Sequence, residues 1–140
     1  MTSIADRNDI ERALLELLGG GYGVSTDAMI RDGIPLSALD RLSDFGLDPT
    51  EIGIVSSRAL RQRRIQGKTL TLREGDHLYR VVRLALQAEA IFGSCQKALS
   101  WLRKPRNTLG GQSAIRAAFA TPGFLAAEEL LGQLQHGYCA

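Results

Sequence analysis

The chain has 140 residues, of which 44% are apolar and 23% charged, and its formal net charge is +2. This length fits one ordinary domain or two small helical lobes, and the composition excludes a wholly disordered chain. No apolar run approaches the roughly 18–20 residues of a membrane span, and the polar, acidic start of the chain is unlike a signal peptide. We therefore expect a cytoplasmic protein that has no membrane partner.

The charge is divided unevenly along the chain. Residues 1–51 carry ten acidic and four basic side chains, whereas residues 52–140 carry five acidic and thirteen basic ones. Six bases and no acid lie between Ile52 and Arg73, and five bases and no acid lie between Ala90 and Ala127. Two separate positive patches are therefore available to anionic partners, nucleic acid first among them, although solvated helix faces can carry the same charges.

The N-terminal part of the chain predicts short helices. Helical spacing of apolar residues predicts a first helix over Ile10–Leu18 that ends at Gly19–Gly21. A short turn or helix over Thr26–Arg31 follows, and then a second helix over Leu36–Leu42 that Gly46 ends. The early glycine run follows no strand and precedes no Lys-Ser or Lys-Thr pair, so we interpret it as a helix end and hinge.

Capping residues predict two further short helices. The run Asp48–Glu51 begins a third helix that ends near Val55, and Ser56-Ser57 caps a fourth, mostly basic helix over Arg58–Gln66 that Gly67 ends. Three short helices with a basic last member are typical of a helix-turn-helix unit whose final helix enters the DNA major groove, but they also occur as plain packing scaffolds. The candidate DNA-binding residues are Arg58, Arg61, Arg63, Arg64 and Lys68.

The second half also predicts helices. Thr71–Glu74 is a capping box, and the apolar face that follows predicts a helix of about 20 residues. Gly93-Ser94 ends this helix and caps the next, which Pro105 terminates. No stretch alternates as a half-buried strand does, so we predict an all-α fold. The remaining predicted features are a loop over 104–111, a short helix over Ser113–Phe119, a break at Thr121–Gly123 and a last helix over Phe124–Gln135.

The sequence offers little for catalysis or metal binding. We interpret His77 as a surface residue near a helix start, while His136 lies with Cys139 in the C-terminal tail, where water would screen any pairing. We interpret Cys95 as a small helix residue, and no metal-ligand spacing occurs. We therefore expect no catalytic residue, no metal and no cofactor, and we interpret the protein as a binding protein.

The second half carries an ordered set of residues that resembles a known family. In chain order they are Leu72, Asp76, Leu78, Arg80, Ala90, Phe92-Gly93, Ala98, Trp101-Leu102, Leu109-Gly110-Gly111, Thr121, Leu130-Leu131 and Gly137. This set resembles the antitoxins of the Xre/MbcA/ParS group, which neutralise RES-domain toxins, and the likeness covers residues 55–140. The chain departs from the family at Ala114-Ile115, where a Pro-Leu pair is usual, and at Pro122–Phe124, where the family is acidic and polar.

The resemblance implies a type II antitoxin that blocks the NAD+ site of its cognate toxin, which either breaks down NAD+ or uses it as an ADP-ribose donor. It implies a helix-turn-helix-like region over 1–67 for DNA binding and dimerisation, and a helical toxin-binding domain over 68–140. Binding to operator DNA would repress the operon, and a homodimer within a hetero-oligomeric toxin–antitoxin complex is expected because a single helix-turn-helix reads only one half-site. The alternative is a free-standing helix-turn-helix transcription regulator without a toxin.

The loop over Arg103–Gly111, which we call the basic loop, is the best candidate for the element that blocks the toxin. Its cations suit a pocket built for pyrophosphate, and its glycines allow the backbone to approach closely. We expect Trp101 to anchor the loop from the core side, the alternative being that Trp101 is an ordinary core residue. The predicted toxin-binding residues are Arg103, Lys104, Arg106, Asn107, Leu109, Gly110, Gly111, His136 and Tyr138.

Overall fold

The computed structural model describes residues 7–20 and 25–137, and every regular element within these ranges is a helix. This confirms the predicted all-α fold. Tyr138, Cys139 and the glycines at 21 and 23 lie outside the described residues. The α-helices are α1 Arg7–Leu18, α2 Thr26–Asp32, α3 Ser37–Phe45, α4 Pro49–Ile52, α5 Ser57–Gln66, α6 Leu72–Phe92, α7 Cys95–Arg103, α8 Ala114–Ala117 and α9 Thr121–Gln135, with a 3₁₀ turn at Asn107–Leu109.

Side-chain caps explain where most of these helices begin. A cap satisfies one of the backbone N–H groups that the first helical turn leaves without a carbonyl partner. The Thr71 hydroxyl accepts a hydrogen bond from the Glu74 N–H at 3.2 Å, while the Glu74 carboxylate accepts from the Thr71 N–H at 2.9 Å, so the predicted capping box is confirmed. The other side chains that accept from a first-turn N–H are Ser25, Asp48, Ser56, Ser94 and Ser113.

Several predicted helix boundaries differ from the observed ones, among them the end of α8 at Ala117 instead of Phe119, and two of the differences have an identifiable cause. Helix α4 ends at Ile52, short of Val55, because Gly53 adopts the left-handed conformation (φ 95°) that ends a helix. The predicted break at Thr121–Gly123 is instead the first turn of α9, where Pro122 sits at a position whose N–H would lack a helical partner in any case.

His77 is buried, so its interpretation as a surface residue is wrong. It lies on α6 four residues before Val81, which is itself buried, and Leu84 and Ala88 continue the same stripe at helical spacing. The buried face of α6 therefore includes the imidazole of His77 as well as the apolar side chains that follow it.

The chain divides into two compact units, and the division falls inside α6, between Tyr79 and Arg80. One unit is Glu11–Tyr79, and the other contains α7, α8 and α9. The functional division into 1–67 and 68–140 stays a prediction. No helix in the described part of the chain is long and apolar enough to span a bilayer.

Within Glu11–Tyr79, the segment that joins α5 to α6 is tied to the α2–α3 turn. The Leu70 N–H donates to the Ile34 carbonyl at 2.9 Å, and Gly33 has a φ of 103° with no room for a Cβ beside Thr69. Helix α5 buries none of its residues, so it lies on the surface of this unit. The buried apolar residues are Leu14, Leu18, Met29, Ile34, Ala38, Leu39, Leu42, Leu47, Ile54, Val55, Leu70 and Leu78.

In the second unit, α8 packs against α7 and α9, and the 3₁₀ turn packs against α9. A Cβ at Gly123 would collide with the Ala117 carbonyl, so the close approach of α8 and α9 requires glycine there. Glu128 of α9 accepts hydrogen bonds from Arg83 at 2.6 Å and from Gln87 at 2.9 Å. These contacts join α9 to α6 within the unit.

Candidate functional site

The basic loop is folded back on itself by backbone hydrogen bonds. The Arg106 N–H donates to the Gln112 carbonyl at 3.1 Å, and the Arg106 carbonyl accepts from Leu109 at 3.0 Å and from Gly111 at 2.9 Å. Gly110 and Gly111 have φ values of 68° and 84°, a region that residues with a Cβ rarely adopt. The loop is therefore a compact turn with a defined backbone.

Arg106 lies on the indole ring of Trp101. The guanidinium carbon is 4.5 Å from the ring centroid, and Nη2 donates to the Trp101 carbonyl at 3.3 Å. Burial lowers the pKa of Arg106, although a guanidinium stays protonated at neutral pH. Trp101 is 8% exposed and its ring centroid is 6.1 Å from that of Phe92. Trp101 is thus buried in the core and also lies beneath Arg106 of the basic loop, and its role as an anchor for toxin binding stays a prediction.

The predicted toxin-binding residues that the structure describes differ in how far they are exposed to solvent. Leu109 is buried and Arg106 is half-buried against Trp101, so these two side chains hold the loop in place. Tyr138 lies outside the described residues. The exposed members are Arg103, Lys104, Asn107, Gly110, Gly111 and His136.

Four of the predicted DNA-binding residues are exposed, three of them on α5 and one just after it. Arg64 lies 3.4 Å from Asp40 of α3, but both side chains are more than half exposed, so solvent screens this pair and it contributes little. The surface of α5 therefore stays strongly basic despite this ion pair. The four residues are Arg58, Arg61, Arg64 and Lys68.

Arg63 differs from the other bases of α5, because its guanidinium forms an ion pair with Glu74 in which both side chains are mostly buried. Burial raises the pKa of Glu74, but hydrogen bonds from Arg63 and Thr71 outweigh this effect and leave the Glu74 pKa below its usual value. The pair ties α5 to the N-terminal cap of α6. The sequence already places Arg63 on a different side of α5 from Arg61, since the two residues lie roughly 200° apart around the helix.

Arg80 is one of the residues that carry the family resemblance, and the sequence alone assigned it no role. Its side chain is buried, and its Nε and Nη2 donate to the carbonyls of Ala118 and Phe119 at 2.8 Å and 2.9 Å. These carbonyls belong to the turn between α8 and α9. Arg80 therefore holds that turn from α6, and its position on the buried side of α6 was the available sign.

Comparisons with known proteins identify the class. Residues 87–137 match the family model described as the antitoxin Xre/MbcA/ParS C-terminal toxin-binding domain. An Antitoxin Xre from Pseudomonas putida is 33% identical over 131 residues, which cover 91% of this chain and 81% of the relative. Antitoxins Xre from Yersinia enterocolitica (32% over 84 residues, 59% and 57% covered) and Photorhabdus laumondii (29% over 121 residues, 82% and 81% covered) are also similar.

The fold and the matched domain together define an all-α antitoxin whose C-terminal part binds a toxin. The chain belongs to the Xre/MbcA/ParS antitoxin family. The basic loop lies inside the matched range and α5 lies outside it. Among the residues that the structure describes, no group of three or more His, Cys, Asp or Glu side chains is placed to hold a metal ion.

Proposed function

We propose that this antitoxin neutralises a RES-domain toxin by placing the basic loop in the toxin's NAD+ site, and that α5 binds operator DNA. The observation that carries the first part is the folded loop, which exposes Arg103, Lys104 and Asn107 while Trp101 and Arg106 support its base. Exposed guanidinium and ammonium groups form charge-assisted hydrogen bonds with carboxylates of a protein partner. A loop that is already folded loses little conformational entropy on docking.

The neighbouring open reading frame supplies the test of this function. Induced alone, its product is expected to stop growth and to alter the cellular NAD+ level or ADP-ribosylate cell components. Co-expression of this chain is expected to restore growth, and the two proteins are expected to co-elute on a sizing column. Toxicity that co-expression does not relieve would contradict the proposal that this chain neutralises that product. Absence of toxicity would favour the free-standing regulator instead.

Charge reversal in the basic loop is expected to weaken toxin binding. The double variant Arg103→Glu/Lys104→Glu changes two exposed cations, so we expect a rise of about 10–100-fold in the Kd for the toxin, measured by calorimetry. Arg106 is left intact because its replacement would also disturb the contact with Trp101. The matched control is Arg58→Glu/Arg61→Glu, which makes the same charge change on α5. Equal affinity of the loop variant and the wild type would contradict this placement.

Operator binding through α5 predicts a strong dependence on salt. If about four cations meet phosphates, the logarithm of the association constant falls with the logarithm of salt concentration at a slope of about −3 to −4. The contributing residues are the exposed bases of α5 and Lys68, without Arg63, which Glu74 already engages. Gel-shift titrations with the upstream promoter at several salt concentrations measure the slope. Arg58→Glu/Arg61→Glu is expected to abolish the shift, and a salt-independent shift would contradict the proposal.

A homodimer would present two copies of α5 to a palindromic operator. Sizing of the chain alone and with the toxin measures this state.

A further inference from the structure

We infer that the toxin is also held by an apolar patch at the start of α9, and this inference rests on the proposed antitoxin function. The patch is defined by Phe119, Ala120, Pro122 and Leu125, and all four residues are exposed. It would supply the hydrophobic part of an interface whose charged part is the basic loop.

Exposure singles out this patch within the domain that binds the toxin. Among the described residues of 87–137, the exposed large apolar side chains are Phe119, at 65%, and Leu125, at 55%. Single exposed apolar residues are normal, but here four of them fall within seven positions of the chain. Pro122 and Leu125 are three apart on a helix and therefore neighbours on its surface.

Hydrogen bonds and close packing constrain the backbone of this patch. Arg80 donates to the carbonyls of Ala118 and Phe119, which fixes the backbone that carries the phenyl ring. Phe124 is buried, and Gly123 allows the first turn of α9 to lie against the Ala117 carbonyl. An aromatic side chain on a fixed backbone is the usual kind of interface anchor, because little freedom remains to be lost on binding.

The patch and the basic loop belong to the same compact unit, and the 3₁₀ turn Asn107–Leu109 within that loop packs against α9, the helix that carries Pro122 and Leu125. Protein interfaces combine an apolar centre with a polar rim, and these two features together provide both. DNA is a poor match, because the patch offers no cation or N–H donor side chain to a phosphate. The exposed bases of α5 lie in a separate unit of the chain.

The test is the affinity of the full-length double variant Phe119→Ala/Leu125→Ala for the purified product of the adjacent open reading frame. Truncation of two interface anchors is expected to raise the Kd by at least about 30-fold. The melting temperature is expected to stay near that of the wild type, because the two side chains are exposed. The matched control is Ile65→Ala/Leu72→Ala, which removes two exposed apolar side chains from the other unit and is expected to leave the Kd unchanged.

A second variant, Phe119→Leu, keeps an apolar side chain and is expected to lose less affinity than Phe119→Ala. An unchanged Kd for the double variant, with the wild type binding normally, overturns the inference and leaves the proposed function intact. A wild type that does not bind overturns both. Loss of a homodimer in the double variant with an unchanged Kd for the toxin also overturns it, because a second copy of the chain would then be the occupant.

Discussion

Replacement of Trp101 by alanine is expected to lower the free energy of unfolding by about 3–5 kcal/mol, the cost of removing a large aromatic side chain from a packed core. The indole is buried, contacts the Phe92 ring and supports the Arg106 guanidinium. Its loss would leave a cavity and would remove the surface on which the basic loop rests. Urea denaturation measures the stability, and calorimetry below the melting temperature measures toxin binding, which is expected to weaken as well.

The control for this variant is Trp101→Phe, which keeps a ring beneath Arg106 and is expected to retain more stability and more toxin affinity. A loss of stability below about 1 kcal/mol in Trp101→Ala would contradict the core role. Full toxin affinity in a destabilised but folded Trp101→Ala variant would show that binding does not require the observed loop conformation.

Replacement of Arg80 by methionine is expected to cost about 2–4 kcal/mol, because two carbonyls would lose hydrogen bonds from a buried, charged donor. Methionine keeps much of the aliphatic length, so the loss reports on the guanidinium more than on packing. The bonds to the carbonyls of Ala118 and Phe119 hold the turn before α9. Urea denaturation measures the stability, and hydrogen exchange of the amides around Phe119 measures the local loosening.

Arg80→Lys is the informative companion, since an ammonium lacks the planar fork that reaches two carbonyls at once. We expect its stability to lie between that of the wild type and that of Arg80→Met. Wild-type stability in the methionine variant would mean that the two hydrogen bonds contribute nothing net.

Helix boundaries were largely predictable because their causes are local. In the capping box, Thr71 and Glu74 are three residues apart, and Ser56 likewise accepts from the N–H of Ala59, three residues on. Both partners of each cap can therefore be recognised in a short stretch of sequence. The same holds for Gly46 and Gly67, which end α3 and α5 with left-handed backbone. Errors arose where two local signs competed. Pro122-Gly123 favours a break in the chain, yet proline also suits a first helical turn, and packing against Ala117 selected the helix.

The partners of the charged side chains were not predictable in this way. Arg63 pairs with Glu74 eleven residues away, and Arg80 bonds to carbonyls 38 and 39 residues away. A charge count treats Arg63 and Arg61 alike, because it records the guanidinium and not the carboxylate that the fold places beside it. The exposure of Phe119 and Leu125 was hidden for the same reason, since an apolar residue at helical spacing is usually taken for core.

The sequence by itself determined the all-α class, the positions of most helices, the polarised charge and the family, because these depend on residue type and on spacings of a few positions. Only the tertiary structure decided which bases are exposed and which hold the fold. It also decided that His77 is buried, that Arg106 rests on Trp101, and that the start of α9 presents apolar side chains to solvent. These properties depend on contacts between segments distant in the chain, whose packing and desolvation the local pattern does not contain.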